Sequence, residues 1–247
     1  FGSFSQYYRR DSGDYGGQGM MTKSSMVSSD GAFDLRKRGD NIDFTSRARL
    51  GYDYDLLSEP GSPGSRTRIY DLYADLYRRD WNLGVRLGRQ TERNVGVLGR
   101  YDGAHLSYQV RPDVKLNLMG GFPVYLSSDS PDTSRVFYAL GVDLEQVVDF
   151  VDTSFFVTTQ NIDGVSDRQA VGAQVRYFDG TRSVVGVADY DIELGTLNTL
   201  SVVGNWYFDS GMDISASADY RRSPVPLTEN ALIGQSAVSI DELLQFL

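Results

Sequence analysis

Residues 212–221 read Met-Asp-Ile-Ser-Ala-Ser-Ala-Asp-Tyr-Arg. Met212, Ile214, Ala216, Ala218 and Tyr220 alternate without a break with Asp213, Ser215, Ser217, Asp219 and Arg221. On a β-strand successive side chains point to opposite faces, so this stretch makes one greasy and one wet surface. A helix would mix the two sets on every face. Ten alternating residues also exceed the roughly 5–6 of an ordinary soluble strand and match the roughly 9–11 needed to cross a bilayer.

The same pattern recurs upstream. Val171, Ala173, Val175 and Tyr177 oppose Gly172, Gln174 and Arg176, and Val184, Gly186, Ala188, Tyr190 and Ile192 oppose Asp189 and Asp191. Tyr70, Leu72, Ala74 and Leu76 alternate with Asp71, Tyr73, Asp75 and Tyr77, and Trp81, Leu83, Val85 and Leu87 with Asn82, Gly84, Arg86 and Gly88. Further rows are Ala104–Arg111, Val114–Leu118, Val136–Val142 and the Phe44–Tyr54 row facing Arg47, Arg49 and Asp53. Segments 152–161 and 196–208 alternate less strictly. The pattern predicts about twelve or more strands.

The connections fall into two classes. At one end of the sheet they are mostly tight and polar: Arg79-Asp80, Arg111-Pro112-Asp113, Asp179-Gly180-Thr181 and Asp209-Ser210-Gly211, with a longer link expected at 145–151. Such residues suit hairpins. At the other end long loops are expected at Glu59–Ser65, Thr91–Gly99, Pro123–Thr133 and Asn161–Arg168, with Gly195-Thr196 short. Asp11–Gly19 reads as a loop, Met20–Val27 as a further strand and Asp34–Gly39 as a charged turn. Residues 223–247 differ in character: an irregular, Pro-bearing stretch, then Ser239 and Glu242 at capping-box spacing ahead of a short helix. Two units are therefore expected, 1–222 as barrel and 223–247 as loop, plug or link.

The strands Tyr70–Arg79, Trp81–Gln90, Ala170–Phe178, Val184–Ile192 and Met212–Arg221 together resemble the transmembrane barrels of Gram-negative outer membranes. The likeness covers most of 40–222 and rests on pattern, so it selects no family. It departs from them in having no terminal aromatic strand, and the chain is expected to continue past Leu247 or to plug itself with its tail. The resemblance implies an antiparallel up-and-down transmembrane barrel, an outer-membrane location and lipid around it.

Composition agrees. Apolar residues make up 40% and aromatics 12%, with 16 Tyr and 26 Gly, too aromatic for disorder. The net charge is −9 with basic residues scattered, which argues against nucleic acid as a partner. No apolar run approaches the ~18 residues of a spanning helix, so any crossing uses strands. Cysteine is absent, which excludes thiolate metal sites and disulfides. The chain starts at Phe1, so its start is expected to have been processed or trimmed, which leaves room for a removed leader.

In such a barrel the charged faces surround water, where they need no dry pairing. The expected lumen residues are Arg47, Arg49, Asp71, Asp75, Arg86, Arg111, Arg176, Asp189, Asp191, Asp219 and Arg221. Tyr70, Trp81, Tyr108, Tyr177, Tyr190, Trp206 and Tyr220 are expected at the headgroup level, where an aromatic ring can be half apolar and half wet.

Candidate chemistry is thin. His105, the single His, shares a face with Ser107 and lies near Asp102. A hydrolase would need all three in mutual reach, and an ordinary polar wall residue is the expected role. The paired acids at 53/55 and 189/191 lack a calcium-loop pattern. No phosphate loop, dinucleotide fingerprint or zinc spacing is present, so no catalytic set, metal or cofactor is expected. The expected function is a pore or an export component with a charged lumen. The alternatives are a structural barrel that docks a periplasmic or surface protein, and a soluble secreted glycan-binding β-protein.

Overall fold

A computed structural model describes residues 1–14, 20–57, 64–92, 99–222, 234 and 240–244. Thirteen strands form one sheet in strict sequence order, each antiparallel to the next. They are β1 (Gly2–Asp14), β2 (Met20–Arg38), β3 (Ile42–Asp55), β4 (Arg66–Arg78), β5 (Leu83–Glu92), β6 (Gly99–Arg111) and β7 (Val114–Val124). β8 (Arg135–Val148), β9 (Val151–Ile162), β10 (Val165–Phe178), β11 (Arg182–Asp191), β12 (Thr196–Tyr207) and β13 (Asp213–Arg221) follow. A short 3-10 turn (Arg79–Trp81) links β4 to β5, and a five-residue helix, α1, spans Ile240–Leu244.

Strand lengths run from 9 residues in β13 to 19 in β2. At about 3.3 Å per residue even the shortest reaches roughly 30 Å. No helix among the described residues is long and apolar enough to cross a membrane, which says nothing of strands.

The two faces of the sheet differ as alternation requires. Leu72, Leu76, Leu87, Leu118, Leu140, Phe155, Val157, Val175 and Ile214 are all exposed, several close to half. Among the described residues no second layer covers them. An apolar face this broad is unstable in water and is what hydrocarbon accepts. The opposite face carries the charged and amide residues, many of them buried against each other.

Several connections differ from the sequence expectation. β1 and β2 form a long hairpin, so residues 11–14 are strand and 15–19 lie outside the described residues. Asp34–Arg38 continues β2, and the turn is 39–41. The 145–151 link shrinks, because β8 runs to Val148. The expected loop Asn161–Arg168 is a two-residue turn at Asp163-Gly164, both with positive φ (51° and 78°). That is the geometry a two-residue hairpin prefers, and Asp-Gly is its natural sequence. Of the expected 223–247 unit only 234 and 240–244 lie among the described residues. There the α1 residue Ile240 is buried and its N–H donates to Asp163 Oδ2 at 3.3 Å, at the long-loop end.

β1 and β13 are the two edges of the sheet. Both run from the short-turn end to the long-loop end, since an even number of strand reversals separates them.

Candidate functional site

The site is built on the charged face of β3 to β6. Arg47, Arg49, Asp71, Tyr73 and Arg86 come into one cavity of about 780 Å³, together with Tyr70, Thr91, Glu92 and Arg100. Alternation places the β3 and β4 members on one face, and strand pairing puts Arg49 opposite Asp71 and Arg86 opposite Asp75.

Tyr70 departs from its expected place. It sits in the irregularity where pairing slips from Arg49↔Asp71 to Leu50↔Ile69. The extra residue of a bulge re-aims a side chain. Tyr70 therefore lines the charged cavity instead of the apolar face, with its hydroxyl accepting from Arg68 Nη1 and the Arg68 and Arg100 guanidinium groups over its ring.

The wall is braced by cross-strand ion pairs. Arg47 Nε donates to Asp34 at 2.5 Å, and Arg86 holds Asp75 through Nε at 2.8 Å and Nη2 at 2.7 Å. Arg66 and Arg68 converge on buried Asp53 at 3.0 and 2.8 Å, and the Ser28 hydroxyl adds a third bond. Two cations are held more loosely. Arg49 is half exposed and stands 3.6 Å from Asp71. Arg100 donates Nε to the Tyr70 carbonyl at 2.9 Å and pairs with no carboxylate among the described residues. The cavity thus presents guanidinium edges that are not fully committed.

A second cluster lies on β10 to β12 near the long-loop end. Arg168 Nη2 donates to Asp189 Oδ2 at 2.5 Å, Asn198 Nδ2 donates to Asp189 Oδ1 at 3.1 Å, and Asp191 Oδ1 accepts the Leu194 N–H. All four side chains are buried. Asp189 is therefore held in a buried brace, while Asp191 caps the β11–β12 turn. The other expected lumen residues do not join either cluster. Arg111 and Asp113 sit at a turn 3.7 Å apart, Arg176 lies 4.0 Å from Asp152, and Asp219 and Arg221 pair on the exposed edge strand.

The charged face is not uniformly polar. Tyr101, Met119, Phe137, Ala139 and Phe156 form a buried cluster across β6 to β9, with Tyr101 edge-on to Phe137 at 4.9 Å. Sequence reading missed this group, although the Phe155-Phe156 pair necessarily sends one ring to each face.

Arg89 was missed too. It is buried, grips Asp102 through two bonds of 2.8 and 2.7 Å, and donates to the Asp129 carbonyl at 2.9 Å. It thereby ties the β7–β8 link, residues 125–134, to the wall, where the Ile69 N–H also meets the Ser127 carbonyl.

His105 makes no catalytic set with Ser107. Its Nε2 meets Asn117 Oδ1 at 3.1 Å, its Nδ1 lies 3.9 Å from Glu92, and Asn117 passes the chain on to Asp143. Among the described residues no cluster of three or more His, Asp or Glu could hold a metal ion. The other aromatics expected at the interface lie on the apolar face or beside it. Trp81, Tyr108, Tyr190, Trp206 and Tyr220 are exposed, and half-buried Tyr177 donates its hydroxyl to Asp179 at 2.6 Å.

No family model matches the chain and no curated protein is similar to it. Solved structures do match. OccD3 (OpdP) of Pseudomonas aeruginosa superposes with a TM-score of 0.50 at 11% identity, over 82% of this chain and 52% of that one. The fold is that of an outer-membrane porin. OprB of Pseudomonas putida (TM-score 0.48, 12% identity, 79% and 70% covered) and a Rh. blastica porin variant (0.38, 14%, 90% and 95%) are weaker matches. The chain spans about half the length of OccD3. At this identity the likeness concerns the porin fold and leaves cargo open.

Proposed function

We propose that the chain forms the wall of an outer-membrane pore that passes small polar solutes, rather than an enzyme. The observation that carries this reading is the pairing of faces: apolar rows exposed on one side, and on the other an ion-paired wall around a cavity of about 780 Å³. Acyl chains would cover the first and water would fill the second. The guanidinium groups of Arg49 and Arg100 favour solutes bearing a carboxylate or phosphate, because such groups accept the N–H edges left uncommitted. Conductance of the purified chain in planar bilayers under a salt gradient tests this. Open-channel steps with anion preference support it, and a folded, inserted protein without conductance contradicts it.

A structural barrel that docks a partner is the second reading. The buried cluster of Tyr101, Met119, Phe137 and Phe156 favours it, since side chains there occupy space on the inner side. Under that reading the protein would be electrically silent and would co-purify with a stoichiometric periplasmic or surface protein.

A further inference from the structure

The chain has two tryptophans, and both lie at the short-turn end beside an arginine. The Arg78 guanidinium carbon stands 3.7 Å from the centre of the Trp81 ring, and that of Arg182 stands 4.3 Å from Trp206. Arg182 and Trp206 are direct cross-strand partners. Arg78 pairs with Ile42 at the base of the apolar row that includes Leu72 and Leu76. Trp206 is flanked by Ile214 across the β12–β13 pair and stacks on Phe208. Seven strand positions separate the two pairs, yet the arrangement repeats: a ring at the rim of the apolar face and a cation laid on it.

Both arginines are 41% and 46% exposed, and their nearest carboxylates, Asp80 and Asp179, are 3.9 and 3.8 Å away, beyond hydrogen-bond range. Several other arginines are gripped by carboxylates at 2.5–3.0 Å, although Arg49, Arg111 and Arg176 stand 3.6–4.0 Å from theirs without an indole beneath them. Among the described residues Arg78 Nε is buried without a partner and the Arg182 guanidinium also meets the Tyr177 hydroxyl, so the terminal N–H groups above each indole are what remain for a ligand, and a pair of them fits two oxygens of a phosphate. At the boundary between acyl chains and water, the phosphate there belongs to a lipid headgroup.

We propose that Arg78–Trp81 and Arg182–Trp206 are two headgroup sites for anionic phospholipid in the leaflet at the short-turn end. This rests on the membrane reading above. The two tryptophans make the test specific, because all indole fluorescence arises at these sites. The full chain is reconstituted in phosphatidylcholine vesicles doped with equal fractions of either chain-brominated phosphatidylglycerol or chain-brominated phosphatidylcholine. The brominated phosphatidylglycerol is expected to quench roughly twofold to fivefold more strongly, as local enrichment around a basic residue implies. An R78Q/R182Q double variant is expected to be quenched by both lipids equally. Equal quenching of the unmodified protein by the two lipids overturns the headgroup sites and leaves the membrane reading standing. No quenching by either lipid overturns both. The comparison in the unmodified protein decides even where the double variant fails to fold.

Discussion

Phe156 packs directly over Gly172: a methyl group at Gly172 would stand 2.2 Å from the ring's Cζ and 2.5 Å from the Ala188 carbonyl oxygen. The glycine is what lets the ring lie flat on the neighbouring strand. Gly172→Ala is expected to cost about 1–3 kcal/mol, the usual penalty of overpacking. Phe156→Ala is expected to cost less in the Gly172→Ala background than in the parent, because the ring clash is then gone while the clash with backbone remains. Urea unfolding midpoints in detergent measure both, and an unchanged midpoint for Gly172→Ala contradicts the packing.

Arg89 is expected to be the pin of the β7–β8 link. Arg89→Ala leaves Asp102 partly buried without its cation, a change that costs about 3–5 kcal/mol where the remaining charge is buried. Lysine cannot reproduce the two-pronged grip, so Arg89→Lys is expected to restore little. Limited proteolysis between residues 125 and 134 checks this. Cleavage should accelerate in both variants and stay slow in the parent protein.

The loosely held cations should set ion preference. A unit charge about 5 Å from an ion in a watery lumen is worth about 0.8 kcal/mol, or roughly fourfold in local ion concentration. Arg100→Gln is therefore expected to reduce anion over cation permeability roughly that much, with Arg49→Gln acting in the same direction. Reversal potentials under a salt gradient report the change. A Arg86→Gln variant should respond differently, since it also strands Asp75.

The Asp179 turn predicts a pH dependence. Its carboxylate accepts the Tyr177 hydroxyl and the Thr181 and Arg182 amides, which bring the group from 3.8 down to about 2. A lowered folded value means that the ionised form stabilises the turn. That contribution is present above the ordinary carboxylate range and fades as pH falls from about 4 to 2. Tyr177→Phe should raise the Asp179 titration midpoint, which carboxyl-carbon NMR of the detergent-solubilised protein would follow. An unchanged midpoint would show that the hydroxyl is not what holds the carboxylate.

Much of the fold was legible because a spanning strand writes itself as simple alternation. The rows at 72–76, 171–177 and 213–221 each became strands, with Leu72, Leu76, Val171, Val175, Ile214 and Tyr220 exposed as expected. What failed were places where alternation slips. The bulge at Tyr70 turns an expected interface ring into a wall of the cavity, and a further slip between Ser166 and Arg168 hid a buried pair. Asp163-Gly164 carried a hairpin signal that the surrounding polar residues masked.

The charged cavity was partly legible. Arg47, Arg49, Asp71, Asp75 and Arg86 could be placed on one face because they share period-two rows. Arg100, Glu92, Arg89 and Arg168 could not, since their partners lie 13 to 40 residues away in sequence. Strand register, not local pattern, decides which arginine meets which acid. The inner cluster of Tyr101, Met119, Phe137 and Phe156 was illegible for the same reason. Each sits on a row with no long apolar run of its own, and only pairing across four strands gathers them.

The central claim is that one face of this sheet touches lipid and the other touches water. The chain contains no cysteine, so spin labels can be placed singly at residues 71 to 76 of β4 in the reconstituted protein. Collision with oxygen, which concentrates in hydrocarbon, is predicted to peak at Leu72, Ala74 and Leu76, and collision with a water-soluble nickel chelate at Asp71, Tyr73 and Asp75. Accessibility to the two reagents that does not alternate along β4, or that alternates in the opposite phase, would contradict the account.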